Sequence, residues 1–151
     1  MKRIAFLLGL TALLAGCNDK NEWADSLGYA PDTIKLSTEE LLFDNTTSVQ
    51  EVMTEGDQWI MDEDVYVDGK RIDANDPTLK IEWGFIEKID IKTPLRIEGE
   101  WFTITRDVKQ IRVEVKANTA SKERALILYL WDRNYRGHLK IKQEGGKAVP
   151  A

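Results

Sequence analysis

Acidic side chains gather in the middle of the chain, where their spacing could support chemistry. Six of them fall between positions 62 and 76: Asp62, Glu63, Asp64, Asp68, Asp73 and Asp76. Oxygen-rich clusters bind calcium, and paired carboxylates catalyse glycoside hydrolysis. The spacing matches no calcium-loop signature, and acidic residues are common throughout this chain. We therefore expect a solvated, turn-rich loop here, with no bound metal.

Other catalytic chemistry finds little support in the sequence. His138 is the only histidine, and in the stretch GHLKIK it falls on the strand face opposite Leu139 and Ile141, where we expect solvent. No serine or cysteine occupies a nucleophile motif, and no glycine-rich phosphate loop is present. We expect a protein that is not an enzyme and that uses no cofactor.

The N-terminus predicts export and a lipid anchor. Lys2 and Arg3 precede an apolar run over residues 4–15. This run is shorter than the roughly 20 residues that a membrane-spanning helix needs, so residues 1–16 are predicted to be a signal peptide. The stretch LLAGC, which ends at Cys17, resembles the lipobox of bacterial lipoproteins. The resemblance implies that Cys17 carries lipid; the alternative is an ordinary signal peptide followed by a chance cysteine.

The number of cysteines rules out an internal disulfide, and the net charge limits the classes of binding partner. Cys17 is the only cysteine, so an exported chain cannot form an internal disulfide. Removal of residues 1–16 takes away two of 21 basic residues and none of 26 acidic ones, which changes the net charge from −5 to −7. This balance argues against a nucleic-acid partner and against electrostatic docking on anionic lipid. Neutral ligands such as glycans remain open.

Alternating apolar residues predict an all-β domain over residues 33–146, between a polar tether at 17–32 and a tail at 147–151. IRVEVKA, ALILYLW and HLKIKQ are predicted to form a three-strand antiparallel meander. Earlier candidate strands are TIKL, LLF, QEVMT, QWIM, DVYV, LKIEW and KIDIK. The pair Asp68–Gly69 is typical of a tight hairpin turn. Eight or nine short strands of this kind favour an immunoglobulin-like antiparallel β-sandwich.

The C-terminal half also resembles a known family, the BACON domain (Bacteroidetes-associated carbohydrate-binding, often N-terminal). The matching positions are Trp101, Asn118, Arg124, Ala125, Leu139, Ile141, Gln143 and Gly145. Trp59 is similar to the first tryptophan of the family, whereas residues 62–98 form a long insertion relative to its pattern. The resemblance implies an immunoglobulin-like sandwich in a lipoprotein of the Bacteroidetes, where a short acidic or polar stretch after the lipid cysteine is linked to surface export. Asp–Ser–Leu at Ser26 and Asp–Thr–Ile at Thr33 also resemble O-glycosylation acceptors of that phylum.

Aromatic residues provide the best binding hypothesis, because sugars stack their apolar C–H faces on flat rings. We expect Trp59 and Trp101 to pack against each other in the core. In IEGEWFTI, neighbouring Trp101 and Phe102 would point to opposite sheet faces, with Phe102 and Ile104 facing a second layer supplied by residues 62–98. The candidate ligand-binding residues lie in the insertion or beside a turn: Trp83, Trp131 and Tyr135.

Together these observations predict a non-catalytic, lipid-anchored protein of the cell envelope, at the outer membrane by the Bacteroidetes resemblance. The leading function is binding of polysaccharide or mucin glycan as an accessory module. The alternative is a structural or assembly lipoprotein that binds another envelope protein and has no affinity for carbohydrate.

Overall fold

Ten β-strands account for the regular structure of residues 30–147. The computed structural model describes residues 30–147, so the signal peptide, Cys17, Ser26 and most of the predicted tether lie outside the described residues. Within 30–147 no helix forms. The strands are β1 Glu40–Phe43, β2 Ser48–Met53, β3 Ile60–Val67, β4 Lys70–Ile72, β5 Lys80–Ile86, β6 Ile91–Glu98, β7 Phe102–Asp107, β8 Gln110–Val115, β9 Arg124–Asp132 and β10 Tyr135–Gln143.

The strands form two five-stranded sheets that enclose one core. The first sheet has the order β1-β10-β9-β3-β4 and the second the order β2-β8-β7-β6-β5. All pairings are antiparallel except β1 with β10, which is parallel. The predicted fold class, an all-β immunoglobulin-like antiparallel sandwich, is confirmed.

Alternation along the strands explains which side chains fill the core. In β9, Leu126, Leu128 and Leu130 are fully buried, whereas the intervening residues are only half-buried. In β8 the buried positions are Ile111 and Val113, together with Val115. Because neighbouring side chains in a strand point to opposite faces, each strand contributes every second residue to the space between the sheets.

The predicted three-strand meander is wrong. β9 and β10 do form a hairpin, with Leu139 opposite Leu128, but β8 lies in the other sheet. The chain crosses between the sheets after Val115, and Asn118 anchors this crossing. Its backbone N–H donates to the Asn45 carbonyl at 2.8 Å, and its side-chain amide donates to the carbonyls of Lys122 and Glu144. Alternation reports which face of a strand is buried, not which strand lies beside it.

The expected arrangement of Trp101 and Phe102 is also wrong. Trp101 lies in a bend before β7 begins, so the strand rule does not apply to it. Both rings are buried, 5.2 Å apart between centres and nearly perpendicular. Phe102 and Ile104 belong to the core that the two sheets share, and no separate layer covers them. Trp59 is buried in the same core, but its ring is stacked against Arg106 at 4.3 Å.

Residues 62–98 contribute strands to both sheets. QWIM and DVYV merge into the single strand β3, which has an irregularity between Met61 and Val65. Asp68 and Gly69 both adopt positive φ angles, 49° and 79°, and form the predicted hairpin turn between β3 and β4. TIKL forms no strand and contributes only one bridge, from Leu36 to Thr54.

Candidate binding groove

The β5–β6 hairpin departs from its own sheet and leans against the other one. β6 pairs with β7 only from Arg96 to Glu98. Its first half lies beside β3, where the Met61 N–H donates to the buried Thr93 hydroxyl at 3.1 Å. Two local features explain this departure: Pro94 has no N–H to offer a ladder, and β5 is irregular between Glu82 and Trp83.

A groove follows the line where this hairpin meets β3 and β9, and we call it the tryptophan groove. It consists of two adjoining depressions of about 260 Å³ and about 200 Å³, which share Ile60 and Trp131. The larger one is also lined by Met61, Asp62, Glu63, Trp83, Lys92 and Pro94. The smaller one adds Gln58, Ile89, Ile91, Asp132 and Arg133. The structure thus brings together Trp83 and Trp131, which are far apart in the sequence.

The two tryptophans are held differently. The Trp83 side chain is 40% exposed, and the Lys92 ammonium lies 4.8 Å from its ring centre. Trp131 is half-buried, and its Nε1–H donates to Asp62 Oδ2 at 3.3 Å. The Arg136 guanidinium lies 4.9 Å from the Trp131 ring centre. Trp131 is therefore fixed from two sides, whereas Trp83 presents more of its ring to solvent.

Charged groups of both signs surround the aromatic rings of the groove. Asp62 and Glu63 lie on the irregular part of β3, and Lys92 lies on β6. Carboxylate oxygens accept hydrogen bonds from hydroxyl groups, and an ammonium donates them. In this groove the tryptophan rings could pack against the apolar face of a ligand, and the charged side chains could form hydrogen bonds with its hydroxyl groups. Sequence reasoning missed Lys92, because Pro94 signals an interruption of the strand ladder but not the direction in which β6 then leans.

Tyr135 lies apart from the groove. It is opposite Asp132 in the β9–β10 register, on the inner side of the sheet, whereas Trp131 and Arg136 share the outer side. Its ring packs against the edge of the core. Burial, together with the charge of Asp32 and a hydrogen bond to it, raises the pKa of the Tyr135 hydroxyl.

The outer face of the first sheet carries a second set of aromatic residues, which sequence reasoning did not single out. Tyr66 and Tyr129 meet edge to face with 5.3 Å between ring centres, and His138 lies opposite Tyr129. Arg136 covers the Tyr129 ring at 3.8 Å. His138 is exposed, as expected. The two apolar faces of ALILYLW were the sequence signal for this row.

The acidic residues serve structural roles instead of forming one solvated loop. Asp62, Glu63 and Asp64 lie within β3, so the expected loop is wrong at these positions. Asp64 pairs with Arg71, and the Asp68 carboxylate accepts from the Ala125 N–H at 2.9 Å. Asp73 and Asp76 accept backbone N–H bonds in turns, which lowers the pKa of both carboxyls. Among residues 30–147, no three acidic or histidine side chains converge on a point suited to a metal ion.

Four of the residues that carry the family resemblance, Trp101, Asn118, Arg124 and Gln143, lie at the end of the sandwich where β9 begins and β10 ends, away from the groove. Arg124 stacks on the Trp101 ring at 4.6 Å, and its Nε–H donates to Gln143 Oε1 at 2.9 Å. The Gln143 amide donates to the carbonyls of Lys116 and Thr46. This network ties together the ends of three strands and the crossing between the sheets, so these residues act through packing.

Comparison with known proteins identifies the N-terminal segment and the fold. Residues 1–18 match the prokaryotic membrane lipoprotein lipid attachment site, which supports an exported protein anchored to the cell envelope through lipid on the cysteine. In the part of the chain that the structure describes, no helix is long and apolar enough to cross a membrane. No match was found among curated protein sequences.

Two of the solved structures that align with the domain differ in how far the likeness extends. A protein from Bacteroides thetaiotaomicron, solved by NMR, is 13% identical with a TM-score of 0.56, and the match covers 80% of this chain and 86% of that one. This likeness concerns the fold alone. An endo-fucoidan hydrolase of glycoside hydrolase family 107 aligns at 13% identity and a TM-score of 0.34, over 81% of this chain but only 15% of that enzyme.

Proposed function

We propose that this lipoprotein binds a neutral glycan in the tryptophan groove and catalyses no reaction. The single observation that carries the proposal is the convergence of Trp83 and Trp131 on one depression that Asp62, Glu63 and Lys92 also line. Ligand sites commonly combine apolar and aromatic walls with a few polar groups that fix the ligand's orientation. Sugar rings match this combination, because each has apolar C–H faces and a hydroxyl rim.

The dimensions of the groove favour a short stretch of a polysaccharide or a mucin glycan. The two depressions adjoin through Ile60 and Trp131, so a chain of sugar units could continue from one into the other. The smaller depression is the more apolar, with Ile89 and Ile91 in its wall. We assign the first sugar to Trp83 and Trp131, and a neighbouring unit to the smaller depression.

The broader setting is part of the same proposal. We assign the domain to the BACON-like group and the mature protein to the outer membrane of a bacterium of the Bacteroidetes. Two observations support the first assignment: Arg124 stacks on Trp101, and Gln143 and Asn118 are buried. These four residues, which match the family pattern, thus share a role in packing one end of the sandwich. The lipid attachment site supports anchorage in the envelope.

Fluorescence titration of the mature chain tests glycan binding. A Cys17→Ala form without the signal peptide would be titrated with mucin glycans and a panel of plant polysaccharides while tryptophan emission is followed. We expect a saturable shift that Trp83→Ala abolishes. Phe85→Ala is the matched control, because Phe85 is exposed on the same face of β5 but lines neither depression. A folded protein whose emission does not change with any glycan would overturn the proposal.

One observation favours a second function, the binding of another envelope protein. β5 lies at the edge of its sheet, and among the described residues no strand pairs with its outer side. An extended segment of a partner could add to such an edge through main-chain hydrogen bonds. The same titration separates the two functions, because a protein that only binds a partner through the β5 edge should show no change in tryptophan emission with any glycan.

A further inference from the structure

We propose that the end of the sandwich from which the tether departs rests on the lipid bilayer and contacts it through exposed apolar side chains. We call this end the tether pole, and it comprises residues 32–35, 53–59, 85–91, 107–110 and 131–135. The inference is independent of glycan binding. The exposed side chains that carry it, Phe85, Val108 and Met53, line neither depression of the tryptophan groove, although the smaller depression opens at the same end of the sandwich.

Hydrogen bonds show that these five segments meet at one end. The Thr33 hydroxyl donates to Asp132 Oδ2 at 2.6 Å, which places the start of the domain beside the β9–β10 turn. The Thr54 N–H donates to the Lys109 carbonyl at 2.9 Å, and Lys88 contacts Asp57 at 2.7 Å. The turns β5–β6, β7–β8 and β9–β10 therefore surround the point where the chain enters the domain.

This pole carries exposed apolar side chains that the core does not use. Phe85 is 63% exposed and Val108 is 56% exposed, and Ile91 and Met53 are exposed as well. Elsewhere in the described residues, the large exposed apolar side chains are Trp83 in the groove and the separate Leu42 and Val49. Val108 lies in the β7–β8 turn, and the other three lie at the strand ends next to the pole. Exposed apolar residues at one end of a domain suit the boundary between headgroups and acyl chains.

The length of the tether keeps the pole close to the membrane. Cys17, the lipid attachment residue, precedes Asp32 by 15 positions, a span of at most about 50 Å at 3.3–3.6 Å per residue. The anchor thus holds this pole within reach of the bilayer, and a docking contact becomes intramolecular in effect. No other end of the domain is tied so closely to the lipid.

The charges of the pole fit a zwitterionic surface. Lys88 pairs with Asp57, Lys35 with Glu55 at 3.4 Å, and Arg133 with Asp132 at 3.7 Å. These ion pairs offset part of the charge, and the pole as a whole holds seven acidic and four basic side chains, a net charge of −3 that disfavours an anionic lipid surface. Docking driven by apolar contact thus requires no anionic lipid, in keeping with the charge argument from the sequence.

Site-specific fluorescence on the lipidated protein tests the contact. Because lipid occupies the thiol of Cys17, a single introduced cysteine can carry an environment-sensitive nitrobenzoxadiazole probe. The full lipoprotein with Phe85→Cys or Val108→Cys would be reconstituted in phosphatidylcholine vesicles. We expect blue-shifted emission and quenching by doxyl-labelled phosphatidylcholine at both positions. The control is Leu42→Cys, which is exposed but outside the pole and should report water.

A second variant separates docking from simple proximity. Met53→Ser combined with Val108→Cys should retain the melting temperature, because Met53 is exposed and lines neither depression of the groove, but should lose part of the quenching. Emission typical of water at both Phe85→Cys and Val108→Cys would overturn the proposal and leave the pole to a protein partner. Glycan binding by the soluble Cys17→Ala form is unaffected by either outcome, so the two proposals fail separately.

Discussion

The Nε atom of Arg124 donates a 2.9 Å hydrogen bond to Oε1 of Gln143, a side chain with no exposed surface. Gln143 in turn donates to two backbone carbonyls, those of Lys116 and Thr46. One buried amide therefore connects β10 to the start of β9, to the segment after β8 and to the loop before β2. Buried polar groups with complete partners specify one arrangement of the chain, and an unpaired one is costly.

Gln143→Ala should lower the free energy of unfolding by about 1–3 kcal/mol, because it leaves the Arg124 Nε–H and the Thr46 carbonyl without a partner, whereas the Lys116 carbonyl keeps its bond from Arg124 Nη2. Urea denaturation of the variant and the parent protein would measure the difference. Gln110→Ala on β8 is the control, since Gln110 is half-buried and should change stability by less than about 0.5 kcal/mol. Equal stability of both variants would contradict the role given to Gln143.

Trp101→Ala should lower the free energy of unfolding by about 3–5 kcal/mol, as truncation of buried aromatic residues does. The indole contacts both the Phe102 ring and the Arg124 guanidinium, so its loss leaves a cavity and an uncovered cation. Thermal unfolding would detect the change. Trp83→Ala, at an exposed tryptophan, should leave the melting temperature close to that of the parent. An unchanged melting temperature for Trp101→Ala would rule out a core role.

Tyr135→Phe should make stability less sensitive to alkaline pH. The pKa of Tyr135 is raised above its ordinary 10.0 by burial and by Asp32, so the fold favours the protonated hydroxyl. This contribution is complete below pH 10 and is lost as the pH rises through the higher pKa of the folded state. Unfolding curves between pH 7 and pH 11 should diverge for the two proteins above pH 10. Parallel curves over the whole range would show that the tyrosine makes no such contribution.

Asp57→Asn should loosen the tip of the β5–β6 hairpin. The Lys88 ammonium contacts the Asp57 carboxylate at 2.7 Å, which lowers the pKa of that carboxyl and holds the turn against the preceding loop. Hydrogen exchange at residues 86–91 should become faster at neutral pH, while exchange in β9 stays slow. Glu82→Gln serves as the control, because its contact with Arg96 is exposed and lies away from the tip. Unchanged hydrogen exchange at residues 86–91 would show that the contact between Lys88 and Asp57 does not hold the turn in place.

Local patterns predicted the strands well, because a strand with one buried face carries apolar residues at alternate positions, as at Leu126, Leu128 and Leu130. Partner strands were not predictable in the same way. Nothing in IRVEVKA shows that β8 pairs with β2 and β7, because the crossing depends on hydrogen bonds of Asn118 to distant carbonyls. Trp101 shows a similar limit, since only the bend at Glu100 and Trp101 removes it from the strand.

The binding groove could be predicted from the sequence only in part. Trp83 and Trp131 were chosen as separate exposed aromatics, and the structure brings them to one depression. Their meeting depends on Pro94 and on the irregular stretches of β3 and β5, which redirect a hairpin over many residues. Asp62 and Glu63 were noticed for their charge, but their place beside a tryptophan follows only from the three-dimensional path of β3.

The direction of β10 has a consequence for whatever follows the domain. This strand begins at Tyr135, beside the entry of the chain, and ends at Gln143, beside Asn118 at the opposite end. Nine residues at about 3.3 Å each span roughly 30 Å. The sandwich therefore acts as a rigid spacer: a reporter or second module fused after Gly146 would start a full domain length away from the point where the chain enters the domain.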